Sequence, residues 1–215
     1  MNPNSTISCP SCSSEHRLTD PSTISFVCEY CDNVIVWNEQ GVKLAGKQSR
    51  LLEGFSRLYR GAMGEIANRR FQVLGRIRYS FGRGFWDEWY LMLDTGESIW
   101  LTEDNHEFCQ QVALNHSNAF GHPSDYLIGD DIQIDGKVFR VQEIGKAKCL
   151  GIEGALPKGV LPDEEYDYID GSSLDGQKTF GLEYDGVHDG FPPTLYVGTW
   201  LKSQDIKLDD EGVEW

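Results

Sequence analysis

Four cysteines near the N-terminus form the strongest chemical pattern in this 215-residue sequence. They lie in two Cys-x-x-Cys pairs that are separated by 15 residues, namely Cys9 with Cys12 and Cys28 with Cys31. Each pair can direct two thiolates at one ion from a tight turn, and the residues between the pairs can form a hairpin that brings the pairs together. The spacing predicts a zinc ribbon. Four protein ligands would complete the coordination of Zn²⁺, so we expect the ion to be structural and not catalytic.

Disulfide bonding and redox activity are two other uses of cysteines in such pairs. Disulfides need an oxidising compartment, and the first residues of the sequence have neither the basic region nor the apolar run of a signal peptide. A redox-active Cys-x-x-Cys needs a single pair on a strand-to-helix turn, whereas this sequence has two pairs at a metal-binding spacing. We therefore expect a metal site in a cytoplasmic protein.

A second group of chemically capable side chains lies in the middle of the chain. The candidate binding surface consists of Trp86, Asp87, Glu88, Trp89, Tyr90 and Trp100. Because alternate side chains of a strand face opposite sides, Glu88 would share one face with Trp86 and Tyr90. Aromatic rings beside a carboxylate suit cationic ligands such as a polyamine. The other interpretation is that the tryptophans belong to the core and that the acids pair with nearby arginines.

The net charge of −15 is unevenly distributed: residues 1–41 carry −4, residues 42–84 carry +8 and residues 85–215 carry −19. The excess of acid disfavours general affinity for nucleic acid. The candidate basic strip contains Arg57, Arg60, Arg69, Arg70, Arg76 and Arg78. Such a strip either faces the acidic half of its own fold or contacts an anionic partner. A basic amphipathic helix is also predicted over residues 48–59, and it would let residues 43–60 contact an anionic membrane surface. The acidic run 163–170 is expected to be a solvated loop.

The rest of the chain has the pattern of a β protein. Short alternating runs are separated by turn residues such as Asp135-Gly136, and no apolar run approaches the roughly 18 residues of a membrane span. Residues 61–73 also match residues 129–141 at Gly, Ile, Phe and Val. We therefore predict a mainly β fold in which a small N-terminal zinc ribbon precedes a β-barrel or sandwich-like domain with an internal duplication. The expected divisions are a ribbon (1–41), a basic connecting segment (42–60) and a β domain (61–215) with repeat units at about 61–101 and 129–201.

Five short motifs stand out in the β domain. They are Phe71-x-Val-x-Gly-x-Ile-x-Tyr79, Trp86-Asp-Glu-Trp-Tyr-Leu91, Gly96-x-x-x-Trp100-Leu101, Ile152-Glu-Gly-Ala-Leu-Pro157 and Tyr196-x-Gly-x-Trp-Leu201. Together they resemble a bacterial domain of unknown function, family number 4178, over about residues 55–202. The resemblance implies an accessory protein of a bacterial envelope or stress-associated system and implies no particular activity.

Two functional hypotheses follow from the sequence. The first is a non-enzymatic cytoplasmic binding or scaffold protein whose ribbon is structural and whose β domain engages protein partners, including membrane-associated ones. It is based on the closed metal site, on the uneven charge and on the lack of a recognisable catalytic motif. The alternative is a small-ligand-binding or enzymatic domain for a cationic metabolite such as a polyamine, with Glu88 and the neighbouring aromatic residues forming its site.

Overall fold

The computed structural model describes residues 5–18, 20–38, 41–49, 51, 56–116, 120–184 and 192–210. As predicted, the fold of these residues is mainly β. The strands are β1 (Ser5–Ser8), β2 (Glu15–Leu18), β3 (Ser25–Val27), β4 (Asn33–Asn38), β5 (Gly41–Gln48), β6 (Met63–Ile66), β7 (Arg69–Ser80), β8 (Phe85–Leu93), β9 (Ser98–Asp104), β10 (Glu107–Leu114), β11 (Asp131–Ile134), β12 (Lys137–Leu156), β13 (Glu165–Ser173), β14 (Thr179–Tyr184), β15 (Thr194–Leu201) and β16 (Ile206–Leu208). Short 3₁₀ helices span Pro123–Asp125 and Ser203–Asp205. Within the ranges given above, no helix has the length and hydropathy to cross a membrane.

Eight antiparallel strands form a closed ring. Their order is β7, β8, β9, β10, β15, β14, β13 and β12, and β12 pairs again with β7. At the closing pair Ile152 lies opposite Ile77. Closure leaves these eight strands without a free edge. A ring of eight strands encloses an interior that side chains fill or that holds one small ligand.

The hairpin that leads into each half of the ring, β6–β7 or β11–β12, has the same backbone hydrogen bonds. The Gly61 N–H donates to the Val73 carbonyl at 2.9 Å, and the Gly129 N–H donates to the Val141 carbonyl at 2.9 Å. Both glycines have positive φ angles, +88° and +98°, which residues with a side chain rarely adopt. The β6–β7 and β11–β12 hairpins therefore share one register, 68 residues apart.

The two Trp-Leu pairs of the sequence repeat lie at different places in the ring. Trp100 is on β9, the third ring strand of the first half, and is buried. Trp200 is on β15, the fourth ring strand of the second half, and is half exposed. The structural similarity of the two halves is therefore closest in the hairpins that lead into them.

The N-terminal segment continues the large sheet. Strand β3 pairs with the end of β12, where Phe26 lies opposite Ala155. Strands β4 and β5 extend this part of the sheet, while β1 and β2 form a separate two-stranded sheet. Residues 42–48 thus belong to a strand, β5, that pairs with β4. The division into domains at residues 41 and 60 stays a prediction.

The helix predicted over residues 48–59 lies partly outside the described residues, because residues 50 and 52–55 fall there. Of its other residues, Gln48 ends β5, and residues 56–59 contain a bend at Arg57 and are not helical.

The two faces of the ring strands pack differently. On one face, aliphatic and aromatic side chains form two buried clusters, one around Trp89 and Leu101 and the other around Ile169 and Leu182. On the other face the buried cluster contains Val34 of the ribbon and is rich in aromatic residues of the ring. These aromatic residues are Tyr79, Tyr90, Trp100, Tyr166, Tyr168 and Tyr196. Ribbon and ring therefore share a core.

Candidate functional site

The four cysteines of the N-terminal segment converge on one point. Their Sγ atoms all lie within 4.8 Å of one another. Cys9 Sγ is 3.7 Å from Cys31 Sγ, and Cys12 Sγ is 3.6 Å from Cys28 Sγ. A tetrahedron with metal–sulfur distances of about 2.3 Å has sulfur–sulfur edges of about 3.8 Å, whereas a disulfide bond is only about 2.05 Å long. The spacing therefore fits four thiolates around a metal ion.

Both Cys-x-x-Cys pairs adopt the same turn. The Ser13 N–H donates to the Cys9 carbonyl at 2.8 Å, and the Asp32 N–H donates to the Cys28 carbonyl at 2.9 Å. Ser13 and Asp32 have left-handed φ angles of 63° and 57°. Each turn directs both thiols of its pair toward the same point, as the spacing predicted.

Polar side chains surround these sulfurs. His16 is buried, and its Nε2 atom lies 3.2 Å from Cys28 Sγ. The Asn33 side chain donates to Cys31 Sγ at 3.3 Å and, with the backbone, lowers the pKa of the Cys31 thiol to about 6. Burial raises the pKa of the Cys9 thiol to about 11. Neither His16 nor Asn33 could be predicted from the sequence, because a single histidine or asparagine carries no spacing signal.

A second candidate site is a cavity of about 250 Å³ inside the ring. Seven of the eight ring strands contribute to its walls. The lining is rich in acids (Glu88, Asp104, Glu143, Asp170 and Glu183) and in aromatic residues (Phe81, Trp86, Tyr166, Tyr168, Phe180, Tyr196 and Trp200). None of the described lining residues is a lysine, arginine or histidine.

Trp86 is the centre of the aromatic wall. Its ring centroid lies 5.7 Å from that of Phe81 and 5.6 Å from that of Tyr168. Its indole N–H donates to Glu88 Oε1 at 3.1 Å. Ring faces carry partial negative charge, so this wall and its carboxylate both favour a positively charged neighbour.

The ammonium group of Lys158 lies among acids and aromatic rings beside the cavity. Its Nζ lies 3.1 Å from Glu183 Oε2 and 3.7 Å from Glu88 Oε2, and it lies 5.5 Å from the ring centroids of both Tyr79 and Trp100. Burial alone would lower the pKa of Lys158, but the surrounding negative charges, Glu183 first, hold it well above its usual value. One positive charge is thus shared between two of the five lining acids.

Asp170 also lies in the cavity wall. Burial, followed by the negative charges of Glu143, Glu183 and Glu88, raises its pKa to about 8. Asp170 lies opposite Gly181 in the β13–β14 pair, and a Cβ atom at Gly181 would lie 2.9 Å from Asp170 Oδ1. Glycine at position 181 therefore leaves room for the Asp170 carboxylate. The charges around this carboxylate disfavour a further negative charge and favour a cation.

A family model for a domain of unknown function, DUF4178, matches residues 60–203. The chain belongs to this family. The match confirms the resemblance of the sequence motifs, and the DUF4178 region contains all eight ring strands and the cavity. The four cysteines lie before it. No curated protein and no solved structure matches the chain.

Within the DUF4178 domain, the six residues of the candidate binding surface do not form one exposed surface. Trp86 and Glu88 line the cavity. The buried members are Asp87, Glu88, Trp89, Tyr90 and Trp100. Trp89 is only 1% exposed and packs on the opposite face of β8. The alternation of faces is that of a strand, with Trp86 and Glu88 on the inside of the ring.

The sequence predicts a solvated loop for the acidic run 163–170, and this prediction is wrong for the last six of its eight residues. Residues 165–170 lie in β13, and Asp170 lines the cavity. The high content of Asp and Glu hid the alternation, because the inward-facing positions of this strand are themselves polar or aromatic.

The six arginines of the basic strip all contact the chain itself. Arg57 donates to the carbonyls of Ser203 and Ile206. The others pair with acids: Arg60 with Glu29, Arg69 with Glu97, Arg70 with Asp209, Arg76 with Asp87 and Glu153, and Arg78 with Asp87. Five of the six arginines are therefore engaged with acidic side chains of their own fold, and Arg57 is engaged with its backbone. A membrane contact through residues 43–60 stays a prediction.

Proposed function

We propose that the chain is a binding protein that holds a small organic cation, such as a polyamine, inside the ring of its DUF4178 domain. We also propose that the four N-terminal cysteines hold a structural Zn²⁺ ion. The observation that carries the first proposal is the cavity lining, in which five acids stand among aromatic rings and Lys158 pairs with two of them, Glu88 and Glu183.

Charge and ring geometry together support a cationic ligand. With Lys158 counted, the five acids leave the cavity with excess negative charge, and burial together with the neighbouring acids raises the pKa of Asp170. An ammonium group would neutralise it and gain cation–π contact with rings such as Trp86. The lysine ammonium between Glu183 and Glu88 already has this kind of environment.

A ligand inside the ring accounts for Trp86, whereas Trp89 belongs to the core on the opposite face of β8. Trp89 is buried and Trp86 lines the cavity, so a protein partner could not dock on both. A protein-partner role for the chain stays a prediction from the sequence.

The donor set supports zinc at the cysteine site. Tetrahedral coordination by thiolates is typical of Zn²⁺. The ligands would be Cys9, Cys12, Cys28 and Cys31, and four thiolates leave no open position for a substrate. The ion would therefore stabilise the ribbon and would not take part in a reaction.

The cation site is tested by calorimetric titration of the full chain with spermidine. We expect saturable binding of one ligand per chain, at least about tenfold weaker in Glu88→Gln because the carboxylate charge is lost. The amide oxygen of the new side chain can still accept the Trp86 hydrogen bond, so the fold should be retained. The matched control is Glu97→Gln, which removes the same charge at an exposed turn residue.

Two results would contradict the proposal. One is the absence of saturable heat with the metal-loaded wild type. The other is an equal loss of affinity in Glu97→Gln and Glu88→Gln, since that would indicate general attraction of a cation to a protein of charge −15.

A further inference from the structure

The backbone of the ribbon reaches the cation site through one strand. Ser25 in β3 is fully buried, and its hydroxyl donates to the Lys158 carbonyl at 2.7 Å. The Ile24 N–H donates to the Leu156 carbonyl at 2.7 Å. Cys28 follows three residues after Ser25. A change in the position of Cys28 would therefore displace the backbone that carries Lys158. The ammonium group of Lys158 pairs with two cavity acids.

A second connection leads from the loop between the cysteine pairs to the same lysine. Asp20 is buried, and the Tyr90 hydroxyl donates to Asp20 Oδ2 at 3.1 Å. The ring of Tyr90 packs against Trp100 with centroids 5.1 Å apart. The ammonium of Lys158 lies against Trp100. Backbone and side chain of Lys158 are therefore held by two different parts of the ribbon.

We infer that metal binding at the four cysteines and cation binding in the ring are thermodynamically coupled through Lys158. This inference rests on the proposed cation site and deepens it, because it states how that site is regulated. The metal-bound ribbon favours the ligand-bound ring, and the reverse holds by linkage.

The sign of the coupling follows from the shared core. Val34 of the ribbon packs in one cluster with Tyr90, Trp100 and Tyr166. A metal ion that fixes the cysteines also orders β3 and β4, which contact the Lys158 segment and the cluster around Trp100. A ligand that binds next then has less of the surroundings of Lys158 left to order. Metal-loaded protein should therefore bind the cation more tightly than metal-free protein.

The test measures the rate at which the zinc-loaded full chain loses Zn²⁺ to a chromogenic chelator, with and without saturating spermidine. The measurement starts from the loaded protein, so it does not require a folded metal-free chain. We expect spermidine to slow zinc loss about fivefold or more in the wild type. At a spermidine concentration that just saturates the wild type, most of the slowing should be lost in Glu88→Gln, which binds the amine more weakly and so controls for any reaction between the amine and the chelator.

A double variant tests whether the coupling passes through the contacts between the ribbon and Lys158. Ser25→Ala with Tyr90→Phe removes the hydroxyls that bind the Lys158 carbonyl and Asp20, and it should abolish most of the slowing while spermidine still binds. The matched control is Ser173→Ala with Tyr184→Phe. These residues lose hydroxyls of the same kind, which bond within the second half of the ring and to Gly121, and the control should keep the slowing.

The outcomes separate the two proposals. Calorimetric binding of spermidine with an unchanged rate of zinc loss would overturn the coupling and leave the cation site intact. Wild-type slowing in the Ser25→Ala/Tyr90→Phe variant would overturn transmission through Lys158. No binding of spermidine to the zinc-loaded chain would overturn the cation site, and the coupling with it.

Discussion

Arg78 binds Asp87 through two hydrogen bonds, 2.8 Å from Nε and 2.7 Å from Nη2, and both side chains are buried. Arg140 makes the same two-bond contact with Asp131, also nine residues away, but that pair is about half exposed. The chain thus contains a buried and an exposed copy of one interaction. Water can solvate the remaining charge only in the exposed copy when one partner is removed.

Asp87→Ala should lower the free energy of unfolding by about 3–5 kcal/mol, because it leaves the Arg78 guanidinium buried without its main partner. Asp131→Ala, the matched control, should cost about 1 kcal/mol or less. Urea unfolding of both variants measures the difference. Equal losses would show that water reaches the Arg78 pair.

Asp170 should make cation binding depend on pH. Its pKa of about 8 means that it carries a proton in the ligand-free cavity at pH 7, and a bound ammonium would stabilise the carboxylate and displace that proton. Affinity for spermidine should therefore rise from pH 6 to about pH 8 and level off above it. Calorimetry in buffers of different ionisation enthalpy should record proton release, which disappears in Asp170→Asn. Binding without proton release in the wild type would contradict the role of this residue.

The same group should affect stability in the ligand-free protein. The folded-state pKa of Asp170 lies above the ordinary value of 3.8, so the unfolded chain loses its proton first as the pH rises. The stability that the protonated group contributes is full below about pH 4 and is lost as the pH rises to about 8. The melting temperature of Asp170→Asn relative to wild type should consequently be higher at pH 9 than at pH 5. The reverse order would be inconsistent with a raised pKa.

Gly181→Ala should weaken spermidine binding by about tenfold or more with little loss of stability. The new methyl group would displace the Asp170 carboxylate, which is the end of a side chain that can rotate. Gly171→Ala is a useful contrast, since its Cβ would lie 2.1 Å from the Arg140 carbonyl oxygen and should destabilise the fold itself. Calorimetry and thermal melting of both variants distinguish the two effects. Unchanged affinity in Gly181→Ala would show that the ligand does not need Asp170.

Removal of the metal should destabilise the N-terminal segment. Elemental analysis should find one zinc per chain in the wild type and none in Cys28→Ser. The loss of metal should cost about 3 kcal/mol or more, and so lower the melting temperature by about 10 °C, with faster amide exchange in β3 and β4. Cys109→Ser is the control, because Cys109 is buried against Thr179 and lies outside the cysteine cluster. Full zinc content in Cys28→Ser would contradict four-cysteine coordination.

The features that could be predicted from the sequence are those that depend on residues close together along the chain. The spacing of Cys9, Cys12, Cys28 and Cys31 predicted their convergence, and the alternation around Glu88 separated its two faces correctly. The cavity could not be predicted in this way. Glu88 and Asp170 are 82 residues apart and meet only because the ring closes, and nothing in the local pattern around Lys158 indicates that it reaches Glu183.

The pairing that closes the ring has a consequence for how fast the chain folds. Ile152 meets Ile77 across 75 residues of chain, and β12 also pairs with β3 near the N-terminus. Long-range strand pairs require a large loss of chain entropy before they contribute stability, so folding dominated by them is slow. Until β7 and β12 meet, both have unpaired edges that can add strands from other chains. Refolding yield should therefore fall as protein concentration rises, because intermolecular pairing competes with closure of the ring.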